Sequence, residues 1–401
     1  MKFLIITQDL RVSGTSQGII ERSFLGKMRR AYPESIIDVL YLSGHSTNDN
    51  LEILPVDSLK RKIISSRVPF HIKWISRITY RFFNVLYAEN YLHEKYAVEI
   101  SRVDRTKYDH IMVRSAGLNH EVILAMHKLP ILKHSIINFH DPYPNSWYSG
   151  NPDKITKREL LRLKKMIEVV NFAKGCCASA YYMAKDLQYL YASDKFFYTL
   201  PHQFDSSVFD LSDTTKVREK KQRIQISYHG ALMFGRNILV LVEAFKQLID
   251  EEVWIKEDVE FVLRVKGEGL DKLKEIANSI DNIVVLDTLD FSNSSNEQIN
   301  ESDVTVILEN GPYYSNILGG KVPFLFALNK HVLISSPKRS ELKKIFKDYK
   351  YTYDMNNIKE AKEKLREILT LSEGLVQNEI SYFSDDFFKQ STDTIFNTSH
   401  F

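Results

Sequence analysis

Short, uninterrupted apolar runs alternate along the chain with longer stretches in which apolar residues return at helical spacing. In the first half the runs are Phe3–Thr7, Ile36–Leu42, His110–Arg114, Ser135–Phe139, Gly175–Ala178 and Phe196–Thr199, with amphipathic segments such as Ile19–Tyr32 and Leu160–Phe172 between most of them. In the second half they are Ile224–Tyr228, Val259–Val265, Asn282–Leu286, Val304–Leu308 and His331–Ser335, interleaved with Asn237–Ile249, Leu270–Ser279, Glu297–Glu301 and Gly320–Leu328. Runs that are apolar at every position, rather than at every second one, suit strands buried on both faces, and strands alternating with helices imply parallel sheets. The pattern predicts two doubly wound α/β domains.

The break falls in the polar crossing Leu200–Gln222, which holds Pro201 and the charged run KVREKKQR. It divides an expected domain over 1–200 from a second over 201–374. The remainder, 375–401, is aromatic and lacks a strand pattern, so it is expected to pack as helices on the body. A length of 401 residues fits two domains, and 44% hydrophobic with 26% charged residues is ordinary for a globular chain. The only cysteines, Cys176 and Cys177, are adjacent, which excludes a disulfide scaffold and favours a reducing compartment. No apolar stretch approaches the ~20 residues of a membrane span, and the start MKFLIITQDL reads as a first strand rather than a signal peptide, so a cytoplasmic location is expected.

The net charge of +3 hides an asymmetry: residues 1–200 hold 29 Lys and Arg against 19 Asp and Glu, and the rest hold 25 against 32. The basic half should face something anionic, although the excess is too small to indicate nucleic acid. Part of it lies in Leu59–Phe83, with Lys60, Arg61, Lys62, Arg67, Lys73, Arg77 and Arg81, no acid, and Phe70, Trp74, Ile78 and Phe82 interleaved. From Pro69 onward the apolar and basic positions form adjacent helical stripes, which suits either an anionic membrane interface or a packed helix with a solvated rim.

Five strand-to-loop junctions carry candidate chemistry, because ligands of doubly wound sheets bind at the carboxyl ends of strands. Ser13–Gly18, with Gly14, Thr15 and Gln17, opens a helix. It is either a polyhydroxyl or anion cradle or a tight turn, and its glycines do not make a dinucleotide fingerprint. Asn138-Phe139-His140-Asp141 ends a run before two prolines, so His140 is either a site residue or a structural histidine. Tyr228–Asn237 brings Gly230, Gly235 and Arg236 to a helix start, the outline of a diphosphate site or a surface turn. Arg264–Gly269 offers Lys266 and Gly267, for a phosphate or for solvent. Tyr314–Pro323 offers Ser315, Asn316, Gly319, Gly320 and Lys321. A lysine in the first turn of a helix is unfavourable without an anion.

In this order the last three junctions resemble the glycosyltransferase family 4 group, which has the GT-B fold of two Rossmann-like, doubly wound parallel-sheet domains facing a cleft. That family shows Gly-Arg-Leu and then a basic residue opening a helix, matched here by Gly230, Ala231, Leu232 and Arg236. Its later Pro-Gly-Lys stretch is matched by Gly320, Lys321, Val322, Ala327, Lys330 and Val332. The family's first phosphate arginine is Ala231 here, and its two glutamates fall at Asn316 and Phe324. The resemblance implies catalytic roles for His140, which would contact the transferred sugar, and for Arg236 and Lys321, which would oppose the charge on a leaving diphosphate. It implies donor contacts from Gly230, Lys266, Gly267, Glu309, Ser315, Asn316, Gly319 and Gly320, and acceptor contacts from Gly14, Thr15, Gln17 and Asp141. The expected activity is retaining transfer of a sugar from a nucleotide diphosphate, UDP rather than GDP, to a saccharide or lipid-linked acceptor in surface polysaccharide or glycolipid assembly. No cofactor, Asp-x-Asp metal or nucleic acid is expected. A non-catalytic binding subunit and a nucleotide-sugar 2-epimerase are the alternatives on the same fold.

Overall fold

Continuous β-branched runs have no polar face to turn to water, so their strands must lie in the middle of layers. The computed structural model describes residues 1–145, 154–191, 194–371 and 380–397 and divides into two units. The first holds the described residues up to Val208 together with the segment from Ser381 onward, and the second runs from Phe209 to Ile380. The division falls inside the polar crossing, after Val208 rather than at Leu200. The charged run there is no spacer. Arg218 is bidentate to Glu260 at 2.6 and 3.1 Å, and Lys220 pairs with Asp303 at 3.0 Å, which ties the run to the second unit.

The first unit is built on a seven-stranded parallel sheet. Its strands are β1 Lys2–Thr7, β2 Ile36–Ser43, β3 Ser58–Ile63, β4 His110–Arg114, β5 Ser135–Phe139, β6 Gly175–Ala178 and β7 Phe197–Thr199, in the spatial order β3-β2-β1-β4-β5-β6-β7. Helices α1 Ser16–Ala31, α2 Phe70–Phe83, α3 Tyr87–Ser101, α4 Glu121–Ala125, α5 Lys157–Phe172 and α6 Tyr181–Leu190 make the crossovers. β3, SLKRKI, lies in the stretch read from sequence as basic and aromatic. It is an edge strand paired only with β2, and lysines on an edge discourage pairing with other chains.

The second unit has a six-stranded parallel sheet of β8 Ile224–Leu232, β9 Val259–Gly267, β10 Ile283–Leu286, β11 Val304–Leu308, β13 His331–Ser336 and β15 Thr352–Asp354, in the order β10-β9-β8-β11-β13-β15. The two-residue strands β12 Tyr314–Ser315 and β14 Arg339–Ser340 pair separately. Its helices are α7 Ile238–Glu251, α8 Val253–Asp258, α9 Leu270–Ala277, α10 Phe291–Asn300, α11 Val322–Ala327, α12 Glu341–Ile345 and α13 Ile358–Thr370. Leu241, Phe245 and Leu248 of α7 share one buried cluster with Leu365 and Ile368 of α13. α10 begins before the expected Glu297, because it buries Asn293, Ser295, Glu297 and Gln298 and so lacks the apolar stripe that marks a helix.

The last helix, α14 Asp385–Phe396, belongs to the first unit. Ser384 caps its start, with Asp385 and Asp386 in the first turn, where carboxylates suit the helix dipole. Phe388 packs edge-on to Phe24 at 5.7 Å between centroids, and Phe396 meets Phe3 at 5.1 Å. Asp385 takes the Lys27 ammonium, and the Tyr32 hydroxyl reaches Thr392 at 2.9 Å and Asp393 at 2.7 Å. The expected tail segment 375–379 and the terminal Phe401 lie outside the described residues. Because Phe388 is 1% exposed, Phe388→Ala is expected to cost the first unit about 3 kcal/mol. Its thermal transition should fall while that of the second unit holds, a split that calorimetry resolves. An unchanged first transition would mean that α14 does not contribute to this core.

Candidate functional site

A parallel sheet whose order reverses leaves a crevice at the carboxyl ends of the two strands that flank the reversal. In the first unit these strands are β1 and β4, followed by the loops that start at Gln8 and Ser115. Thr15 caps α1 by accepting from the Gln17 amide at 3.0 Å, and Gly14 sits at φ +79° in open space. Gly18 lets the loop close, because a Cβ there would lie 2.0 Å from the Arg11 carbonyl oxygen.

Around this crevice lies a buried polar network. Glu21 accepts from Arg114 Nε at 2.6 Å, and the Arg114 guanidinium lies 3.6 Å from the Phe24 ring centroid. The Gln17 side-chain amide donates to Glu21 at 3.0 Å and to the Ser115 carbonyl at 2.9 Å, and its nitrogen also contacts His140 Nδ1. His140 Nε2 bonds Asn138 Oδ1 at 2.6 Å, and Asn138 is fixed in turn by Cys177 Sγ at 3.1 Å. His140 ends β5 but is 2% exposed with both ring nitrogens engaged. Burial, then the charges of Arg114 and His202, hold it well below the ordinary histidine range. The structure thus makes it a neutral, positioned ring rather than one that presents a nitrogen to a sugar. Gln17 is likewise turned inward. Asp141 beside it is partly exposed, and burial lifts its carboxyl to about 6. Glu21, Arg114 and Ser115 were not singled out from sequence, and Asn138 only as the start of the His140 junction. The one available signal was a charged residue closing the apolar run of β4.

In the second unit the reversal lies between β8 and β11. The loop after β8 turns through Phe234 and Gly235, both at positive φ, and packs on the loop after β11. The Gly311 amide donates to the Phe234 carbonyl at 3.0 Å, and a Cβ on Gly235 would lie 2.7 Å from the Gly311 carbonyl oxygen. Arg236 closes this junction, donating from Nε to Asn310 Oδ1 and from Nη1 to the Ala231 carbonyl, both at 3.0 Å. Next to it α7 begins, and its first amides receive no cap from the Asn237 side chain.

Lys321 reaches the same place from a different loop. Its helix, α11, starts at Val322 with Pro323 in the first turn and is only six residues long, so Lys321 precedes the helix instead of lying within it. The ammonium bonds the His229 carbonyl and lies 4.7 Å from the Tyr228 ring centroid. Gly230 makes room for it, since a Cβ there would stand 2.5 Å from Nζ. Burial first, then the charge of Arg236, push the lysine down to about 7. Among the described residues no carboxylate lies within 4 Å of either cation. Close by, Glu297 takes Arg264 at 2.7 and 2.9 Å and lies 3.4 Å from His229 Nε2, while His229 Nδ1 meets the Ser294 hydroxyl at 2.9 Å.

The other expected donor residues are placed less uniformly. Lys266 is exposed at the end of β9, and Gly267 at φ +110° lets that end approach the Leu232 carbonyl. Gly319 and Gly320 lead directly into Lys321. Ser315 and Asn316 are each 1% exposed, with Ser315 inside the β12–β14 pair. The Glu309 carboxylate is taken up by Ser336 Oγ and the Leu342 amide, and burial raises it to about 7, so it serves the fold rather than an open site. Phe324 is buried, its ring tilted against that of Phe291 at 6.3 Å between centroids. Among the described residues no three His, Cys, Asp or Glu side chains form a metal-ligating group.

Two partly desolvated cations without a counter-charge favour an anion, and the pKa of Lys321 gives that preference a measurable sign. A bound diphosphate restores the charged lysine, so binding takes up a proton wherever free Lys321 is neutral. At about pH 8 uptake should approach one proton per site, and at about pH 6 the contribution of Lys321 should vanish. Calorimetry in buffers of different ionisation enthalpy measures this, and Lys321→Met should abolish the difference between the two pH values. Gly230→Ala should displace the ammonium and weaken diphosphate binding about tenfold with little change in melting temperature. Equal binding by this variant would show that the Lys321 contact is not used.

No protein-family model and no curated protein matches the chain. Solved structures do. S. aureus TarM, in a complex with fondaparinux, α-GlcNAc-glycerol and UDP, superposes with a TM-score of 0.62 at 11% identity over 99% of this chain and 100% of that one. An E. coli trehalose-6-phosphate protein bound with UDP-2-fluoro glucose gives 0.61 at 8% identity over all of both chains. The lipopolysaccharide outer core galactosyltransferase WaaB gives 0.58 at 11% identity over 98% and 99%. With two parallel α/β units and these neighbours across its whole length, the chain has the GT-B fold.

Proposed function

We propose that the protein transfers a glycosyl group from a nucleotide diphosphate sugar, a UDP-sugar in the first instance, to a saccharide or lipid-linked acceptor in surface polysaccharide or glycolipid assembly. The observation that carries this reading is the pair of cations Arg236 and Lys321 at the carboxyl end of β8 where α7 begins, with no carboxylate within 4 Å among the described residues. In transfer the bond between the anomeric carbon and the diphosphate oxygen breaks, and the electron pair leaves with the nucleotide. The acceptor hydroxyl forms the new bond and loses its proton. Negative charge grows on the departing oxygens, and preorganised donors at that point lower the barrier by roughly 3 kcal/mol each. Arg236, Lys321 and the uncapped amides of α7 are such donors. Retention of anomeric configuration belongs to this reading through the resemblance of the loops, and the location would be the inner face of the cell membrane.

A nucleotide-binding subunit without turnover is the second reading, favoured by one feature: Phe324 and the buried Asn316 stand where the resembled family has glutamates. The two readings separate in an assay of nucleoside diphosphate release from a panel of UDP- and GDP-sugars, run with cell-envelope saccharides and lipids as acceptors. The expected outcome is turnover with one donor, lowered about 10²–10³-fold in kcat by Arg236→Ala, with the product anomer retained by NMR. Diphosphate binding that Arg236→Ala weakens, but no turnover with any donor, would establish the subunit instead.

A further inference from the structure

Fourteen residues make up α2, and only Ile72 among them is buried. Phe70 is 82% exposed, Trp74 57%, Phe82 68% and Phe83 71%, and Val85 and Tyr87 continue the apolar surface past the helix end. Single exposed apolar residues are normal, but a contiguous aromatic patch marks a surface that something covers. Helical spacing puts Phe70, Trp74, Arg77 and Arg81 on one outward face, with Lys73 and Tyr80 along one flank and Ile78 and Phe82 along the other. Lys73, Arg77 and Arg81 are exposed, and among the described residues none has a carboxylate within 4 Å. The patch extends onto the start of α5, where Lys157 and Arg158 lie 5.6 and 5.7 Å from the Tyr80 ring centroid and Leu160 is exposed. Beside it opens a hollow of about 430 Å³ that includes Tyr80, Lys154 and Arg158 in its lining.

We infer that this face docks on an anionic lipid bilayer, with α2 lying in the plane of the interface. Phe70, Trp74 and Phe82 would enter the boundary between headgroups and acyl chains. Lys73, Arg77 and Arg81 would meet headgroup phosphates. The chemistry selects this occupant. A second copy packed on the same face by a two-fold axis would set these cations against their own counterparts. A span is excluded by length, since fourteen residues reach about 21 Å and the hydrocarbon core is ~30 Å thick. The surface is narrower than the basic stretch 59–83 expected from sequence. Lys60 and Lys62 lie on the edge strand β3, and Arg61 is committed to Asp49 at 3.2 Å and to the Thr47 carbonyl at 2.8 Å.

The test is sedimentation of the full chain with phosphatidylcholine vesicles, with and without about a third phosphatidylglycerol. Co-sedimentation with the anionic vesicles, lost in high salt and weak on the neutral ones, is expected. Replacing Lys73, Arg77 and Arg81 by Gln should lower partitioning about a hundredfold. Phe70→Ser with Trp74→Ser should abolish it, while circular dichroism and diphosphate binding confirm that the variant is folded. Failure of the folded protein to sediment would overturn the inference. So would equal binding to neutral vesicles, or light scattering that shows a dimer dissociated by Trp74→Ser. Diphosphate binding is measured in the same samples, so a negative result here is distinct from failure of the donor site.

Discussion

A sheet of parallel strands must be covered on both faces, and that constraint decides where everything polar can go. Side chains from β1, β5, β8 and β11 are mostly buried, so charge gathers toward the strand ends and is paired where it lies deeper. At those ends, backbone amides of the following helices are also unpaired, and positive charge gathers beside them. The two units meet this constraint in opposite ways. In the first, the buried charge is closed on itself: Glu21 answers Arg114, and Gln17 and Asn138 occupy both nitrogens of His140. In the second, Glu297 answers Arg264, but Arg236 and Lys321 stand outside that pairing.

This contrast explains why the second unit is the better candidate for an anionic ligand. Burying a cation without a partner is costly, and proteins usually pair it or let it neutralise. The fold takes the second course with Lys321, whose pKa burial and the neighbouring Arg236 push down. Gly230 and Gly235 serve the same end by removing the Cβ atoms that would keep Lys321 and the β11 loop away.

Much of this was legible in the sequence, and the limits have physical causes. Strands β4, β5, β6 and β11 coincide with their apolar runs, because strands buried on both faces read as short continuous runs. β3 was hidden because an edge strand tolerates lysines, and α10 because its buried face is polar. At the site, glycines and cations at strand ends pointed to Arg236 and Lys321. What spacing could not show is which way a side chain turns. His140, Gln17 and Glu309 lie at the expected loops and face inward, because residues distant in sequence meet their polar atoms: Gln17 reaches His140 and the Ser115 carbonyl, and Glu309 meets Ser336 and Leu342.

The return of α14 to the first unit has a consequence for how the protein is made. Residues that complete the core around Phe3 and Phe24 leave the ribosome only after the whole second unit has been synthesised. Domains usually fold as they emerge, in order from the amino terminus. Here the contiguous second unit can finish first, while the first must wait with an open apolar face beside Phe24. A chain that stops before α14 would leave that apolar face of the first unit uncovered.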